Sequence, residues 1–306
     1  MKTPTGDRLY KTITTLCAAS IPAVLLLVAL VVVRGAWPVL GSRLGELLTT
    51  SRWSIAQGHY GALPVLAGTL VTSAGAVLLA GPLGIGVALL TAELAPRAVR
   101  APAAFAVNLL AAVPSVIYGL WGMFVLVPLL RRTVMPALIA SGLPFTAGPA
   151  YGPSVLAATL VLALMILPYV AGVSHDVLQA IPRAQREAAL ALGATQWEMI
   201  RDAVLPSARS GLVGAVLLGL ARALGETMAV AMVVGNRHAV PHSLLDPAYT
   251  ISALLAVEFG EASDSTQVGA LMAITALLLV VTLLVNVLAR LLVSRVAGND
   301  SRLLPA

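Results

Sequence analysis

Charge is scarce in this chain of 306 residues: Asp, Glu, Lys and Arg together make up 10% of it, and aromatic residues 5%. A soluble globular chain carries about 25% charged residues, and disordered chains are rich in polar and charged residues, so both classes are excluded. Only two lysines occur, Lys2 and Lys11, both near the N-terminus. A phosphate-cradling G-x-x-x-x-G-K-[ST] loop therefore cannot form, and any ATP that drives this protein is hydrolysed on another chain. A single cysteine, Cys17, excludes an intrachain disulfide framework. Short segments of alternating polarity are missing too, which argues against a membrane β-barrel. The net charge of +6 comes from 17 Arg and 2 Lys against 13 acids, without the concentrated basic patch of a nucleic-acid binder.

Apolar residues fill the chain instead, 59% of it, with a mean hydropathy of +0.94. Six runs are long enough to cross a hydrocarbon core, which takes about 20 helical residues. They lie near 13–33, 65–92, 104–130, 154–173, 210–234 and 268–293. The expected fold class is an all-α integral membrane protein, with residues 1–306 forming one transmembrane domain. Lys2, Arg8 and Lys11 precede the first run as they would in a signal peptide. That run is too long for a signal h-region and no small-residue cleavage site closes it, so it reads as a retained span.

Basic residues set orientation, because they stay on the cytoplasmic side. The side holding both termini and the loops 94–103 and 174–209 carries 12 cations: Lys2, Arg8, Lys11, Arg97, Arg100, Arg183, Arg186, Arg201, Arg209, Arg290, Arg295 and Arg302. The other side carries 6, namely Arg34, Arg43, Arg52, Arg131, Arg132 and Arg237, and Arg222 falls inside a span. Both termini are expected in the cytoplasm.

The long inner loop, 174–209, has a helical pattern of its own. Pro182 stands where a first helical turn begins and Gly193 where a helix would end. Thr195-x-x-Glu198 then matches a capping box, predicting a second short helix that stops at Pro206. Its Trp197, Ile200 and Val204 recur at one-face spacing. Such a face is either an anchor for a groove on a partner or a surface that packs back onto the membrane domain.

The fifth run contains Arg222-Ala-Leu-Gly-Glu226-Thr227. Glu226 stands one turn beyond Arg222 on the same helical face. A central Arg costs about 2.5–3.5 kcal/mol to insert, so both charges need a partner or a water-filled cavity. Ala221, Gly225 and Ala229 make a small-residue stripe for close helix approach. Two readings follow: a cationic station on an anion pathway, with Glu226 tuning affinity downward, or an ion pair locking two helices.

Other polar residues carry less. His238, His242 and Asp246 recur every four residues, but Pro241 and Pro247 interrupt any helix that would align them as metal ligands. Glu258, Glu261 and Asp264 read as a solvated acidic loop, and Asn108 and Asn286 as hydrogen bonds between helices. Gly81-Pro82 suggests a kink, and Pro114 and Gly119 a broken third span.

Three stretches resemble a known family. Glu187-Ala188-Ala189, Gly193 and Leu205-Pro206 resemble the EAA loop of ABC-importer permeases, with Ala203 where that pattern has Ile. Residues 110–128, from Leu110-Ala-Ala-Val-Pro114-Ser115 through Tyr118-Gly119 to Pro128, resemble the third-span signature of Pst-type phosphate permeases. The run from Arg222 through Glu226-Thr227-Met228-Ala229 to Gly235-Asn236 resembles their C subunit rather than the A subunit, which continues Gly-Glu-Thr with Ala-Pro.

The resemblance implies a MetI-like, type I importer permease fold and no enzymatic activity in this chain. It implies ATP–Mg on partner subunits and no cofactor bound here. It also implies pairing with a PstA-like permease, two PstB-like ATPases and an external PstS-like phosphate-binding protein in a bacterial cytoplasmic membrane. Arg222, with Glu226 and Thr227, would lie on the substrate pathway. Glu187, Ala188, Gly193, Trp197, Leu205 and Pro206 would couple to the ATPase. Sulfate, molybdate or phosphonate in place of phosphate, a passive channel, and a phosphate-signalling subunit are the alternative functions.

Overall fold

Prolines punctuate the helices of this chain without ending most of them. The computed structural model describes residues 5–55 and 57–298, so the terminal Lys2 and Arg302 lie outside the described residues. Ten helices are numbered here in chain order: α1 (Thr5–Thr49), α2 (Leu63–Leu94), α3 (Arg97–Ala112), α4 (Ser115–Ser141), α5 (Val155–Gln179), α6 (Arg183–Ala191), α7 (Gln196–Gly225), α8 (Met228–Val233), α9 (Ile251–Glu258) and α10 (Ser265–Gly298). Six of them, α1, α2, α4, α5, α7 and α10, contain stretches long and apolar enough to cross a membrane. A two-stranded antiparallel hairpin, Trp53–Ser54 with His59–Tyr60, joins α1 to α2.

Four stretches widen to π-helical geometry: Leu90–Leu94, Gly122–Leu126, Leu130–Val134 and Met199–Val204. Each ends two residues before a proline, Pro96, Pro128, Pro136 or Pro206. Proline lacks an N–H and its ring clashes with the carbonyl four residues back. A π-bulge takes up that defect and lets the helix run on. At Pro96 the relief is not used, because Ala95 turns extended and the helix stops.

Three expected boundaries differ in the structure. The helix starting at Thr195 does not stop at Pro206; it continues through its π segment to Gly225. The third span is Ser115–Ser141, about 11 residues later than expected, because Val113 is extended before Pro114 and splits off α3. Arg131 and Arg132 are consequently helical. The first helix runs on to Thr49 through Pro38, so Arg34 and Arg43 lie in it and not in a loop.

The most buried helix is α5, packed chiefly against α2 and α7. Close approach depends on missing side chains. A Cβ at Gly84 would meet Val170 at 2.9 Å, and one at Gly219 would meet the same valine at 2.7 Å, so α2 and α7 close on α5 from two sides. α1 packs on α10 and is otherwise almost wholly exposed, with Leu16, Ile21, Leu25 and Leu26 on its surface. A second core gathers Leu47, Tyr249, Ile251, Leu254 and Leu271, and a third, at the α6 end, gathers Ala88, Leu178, Ile200 and Val204.

Candidate functional site

Arg222 stands in the last turn of α7, because the helix ends three residues later. Glu226 is extended (φ −69°, ψ 130°), and the chain resumes as α8 from Met228. Ending a helix inside an apolar region frees carbonyls that need donors. One donor comes from α9: the Ser252 hydroxyl donates to the Leu224 carbonyl at 3.2 Å. The expected Arg222–Glu226 pair is therefore absent. Glu226 instead turns toward α8, where its Oε1 accepts from the Ala229 amide at 3.5 Å, and Thr227 donates to the Gly225 carbonyl at 3.2 Å. Nor is there a continuous small-residue stripe: Gly225 faces open space, while Ala229, beyond the break, meets Gly119 of α4.

The Arg222 guanidinium is exposed, 4.1 Å from the centroid of the Tyr169 ring on α5. Contact with the ring face orients the planar group and leaves its in-plane N–H donors unspent. Among the described residues no carboxylate forms an ion pair with it. A guanidinium held in place but unsaturated can grip two oxygens of a tetrahedral anion.

At the other candidate site, α6 presents Glu187 and Ala188 to solvent. Gly193 follows with φ +89° and open space around it, a conformation that glycine adopts without strain. The capping box forms in both directions: the Glu198 amide donates to Thr195 Oγ1 at 3.3 Å, and the Thr195 amide donates to Glu198 Oε2 at 2.7 Å. The expected single face does not form. Trp197 is 59% exposed, while Ile200 and Val204 are fully buried, because the π segment between them rotates the helix. Leu192 is exposed beside this surface, Leu205 is half-buried against the third core, and Pro206 is exposed.

Sequence reasoning missed what holds α6. Arg186 donates from Nε and Nη2 to Glu93 at the end of α2, the closest contact being 2.6 Å. Its Nη1 and Nη2 also donate to the carbonyls of Ile181 and Leu178. Both side chains are largely buried, at 18% and 8% exposure. The available signal was a lone carboxylate closing an apolar run.

At the opposite end of α2 a second polar cluster went unread. His238 Nε2 lies 2.8 Å from Glu258, with Trp53 stacked on its ring and Tyr249 against its edge. Glu258 is thus a packed partner and not a solvated acid. Burial and the neighbouring Glu258 and Glu261 push the Tyr249 phenol up to about 12. Asp246 accepts from the His242 and Ser243 amides, shaping a turn, and the described residues contain no cluster able to hold a metal ion. His59 and His175 lie beside Glu46 and Thr91. Asn286 donates to Thr282 on its own helix and not to a neighbour.

Residues 82–298 match the family model of the binding-protein-dependent transport system inner membrane component. The chain belongs to that family. Within it, a phosphate transport system permease protein PstC from Mesorhizobium japonicum is 43% identical, covering 91% of this chain and 88% of that protein. A PstC from Haemophilus influenzae is 40% identical over 97% of this chain and 96% of its own. A PstC 1 from Mycobacterium tuberculosis is 40% identical over 84% and 79%. Among solved structures, a MetNI methionine ABC transporter in an inward-facing conformation superposes with a TM-score of 0.56 at 19% identity, covering 80% of this chain and 99% of that one. The fold of this inner membrane component is that of a type I importer permease, and the chain is a multi-pass transport subunit, not an enzyme.

Proposed function

We propose that this chain is the permease subunit of an ATP-driven importer that moves inorganic phosphate across the cytoplasmic membrane. The observation that carries the substrate is the likeness to PstC proteins along nearly the whole chain. The geometry adds a place for the anion: a positioned, unneutralised Arg222 at the broken end of a membrane helix. Arg222 donates to the phosphate oxygens. Glu226 and Thr227, in the short link beyond it, line the same path, the carboxylate limiting how tightly the anion is held.

In this reading a PstA-like permease covers the Arg222 face, so that the path runs between the two chains. A PstS-like protein delivers phosphate from outside. Two PstB-like subunits hold ATP–Mg and hydrolyse it, one of them receiving α6 with Glu187, Ala188 and Trp197. Gly193 turns the chain between α6 and α7, and Leu205 and Pro206, inside α7 just past its π segment, carry movement into the membrane. Both termini and α6 face the cytoplasm. ATP-driven closure of the ATPases switches access from outside to inside.

The test is radiolabelled phosphate uptake in phosphate-starved cells lacking this chain, with sulfate and molybdate as competitors. Re-expression restores uptake that only unlabelled phosphate suppresses, and Arg222→Gln does not restore it. Uptake suppressed equally by sulfate or molybdate overturns the substrate assignment, and full uptake by Arg222→Gln overturns the role of that residue.

A further inference from the structure

A cavity of about 390 Å³ opens where α6 meets the ends of the membrane helices, bounded by Glu93 of α2, Arg100 of α3, Gln179 of α5, and Arg183, Arg186 and Glu187 of α6. Its three arginines are not equivalent. Arg186 is spent, its N–H groups engaged by Glu93 and two carbonyls. Arg100 makes one long contact, from Nη2 to the Ala95 carbonyl at 3.4 Å, and its Nε is buried with no partner. Arg183 is exposed in the first turn of α6, where Pro182 offers no side-chain cap, and no hydrogen bond or ion pair engages it among the described residues. With the Arg186–Glu93 pair set aside, two arginines face one carboxylate, Glu187. Apart from that one long contact, their terminal N–H groups are unspent among the described residues, so the cavity keeps a net positive charge and donors for an anion.

We infer that this cavity binds a phosphate group, held between Arg100 and Arg183. Two guanidinium forks converging on one site suit a tetrahedral oxyanion, and a neutral ligand would leave the second charge uncompensated. The bound group bridges α3 to the first turn of α6. α3 carries exposed Phe105 and Leu109 and is thereby fixed at the apolar surface, so the bridge restrains α6 against the membrane helices. The phosphate group has two sources: inorganic phosphate on the α6 side, which makes the site a brake set by accumulated product, or the headgroup of an anionic lipid. The inference rests on the cavity and does not depend on the substrate assignment at Arg222.

The experiment uses the transporter purified with all its subunits, in phosphatidylcholine nanodiscs without nucleotide, and reads hydrogen exchange of the amides of residues 183–192. One arm adds inorganic phosphate against chloride of equal ionic strength. The other replaces part of the lipid with phosphatidylglycerol and omits phosphate. Protection rises as one plus ligand over Kd, so exchange slows about tenfold when ligand stands ten times above Kd.

Slowing in the phosphate arm that disappears in both Arg100→Gln and Arg183→Gln assigns the site to free phosphate. The same pattern in the phosphatidylglycerol arm assigns it to lipid. Unchanged exchange in both arms, or slowing that persists in either variant, overturns the inference. Arg183 is exposed, so its variant stays informative if Arg100→Gln fails to fold. Repeating both arms in Arg222→Gln separates this site from the transport path, because the slowing survives there whether or not Arg222 handles phosphate.

Discussion

Arg186 and Arg222 are the same side chain put to opposite uses. Arg186 meets a carboxylate and two carbonyls and is largely buried, so its donors are consumed in holding α6 to the end of α2. Arg222 rests against one aromatic ring, is exposed, and keeps its donors. A saturated guanidinium is a joint; an oriented but unsaturated one has donors left for a ligand. Helix continuity makes the difference. α6 follows α5 through a short turn that brings Arg186 back beside Glu93, whereas the break at Glu226 sends the carboxylate next in line away from Arg222.

The largest expected effect is Arg222→Ala. On the proposed path it removes one or two charge-assisted hydrogen bonds to the anion, worth about 1.5–3 kcal/mol each, so uptake falls about tenfold or more while the complex still assembles on size exclusion. Loss of the complex would make Arg222 a joint like Arg186 and dissolve the contrast. Glu93→Gln should do the reverse: it strands the Arg186 charge and costs about 2–3 kcal/mol of stability, somewhat below a fully buried pair because two carbonyls remain. Thermal unfolding of the purified complex measures this, and an unchanged midpoint would show that the joint carries no load.

Trp197→Ala sharpens the contrast at the α6 end. The side chain is 59% exposed, so stability should move by less than about 0.5 kcal/mol. Binding of the ATPase subunit should weaken by about 2 kcal/mol if the indole is its anchor, read as ATPase lost on co-purification. The smallest effect belongs to Glu226→Gln. Glutamine keeps an acceptor for the Ala229 amide and removes the charge near the path. Apparent affinity for phosphate should rise about fivefold, equivalent to about 1 kcal/mol of relieved repulsion, in a transport titration. No change would leave Glu226 as a cap alone.

Much of the architecture is legible in the chain. Six apolar runs, the capping box at Thr195 and Glu198, and the turn at Gly193 all appear in the structure, because each depends on neighbours within one or two helical turns. Proline rules misled at Pro206, where the bulge over Met199–Val204 carries the helix onward and buries Ile200 and Val204 while Trp197 stays out. The Arg222–Glu226 pair was expected from spacing along a continuous helix. What ends the helix there includes Ser252, a distant residue that takes up the Leu224 carbonyl, and no window around Arg222 contains it. The pairs Glu93–Arg186 and His238–Glu258 likewise join positions far apart in the chain.

The sequence by itself therefore determined that this is a membrane-spanning helical protein without a P-loop motif, where its apolar runs lie, and which motifs it carries. Hydropathy, charge and short spacing are local properties, summed along the chain. The tertiary structure alone decided which charges are consumed and which are left available. Glu93 reaches Arg186, Glu226 turns from Arg222, and among the described residues Arg100 and Arg183 remain without a carboxylate partner. That outcome depends on where separate helices bring their ends together, because a charge in a low-dielectric setting is neutralised only by what stands within a few ångströms of it.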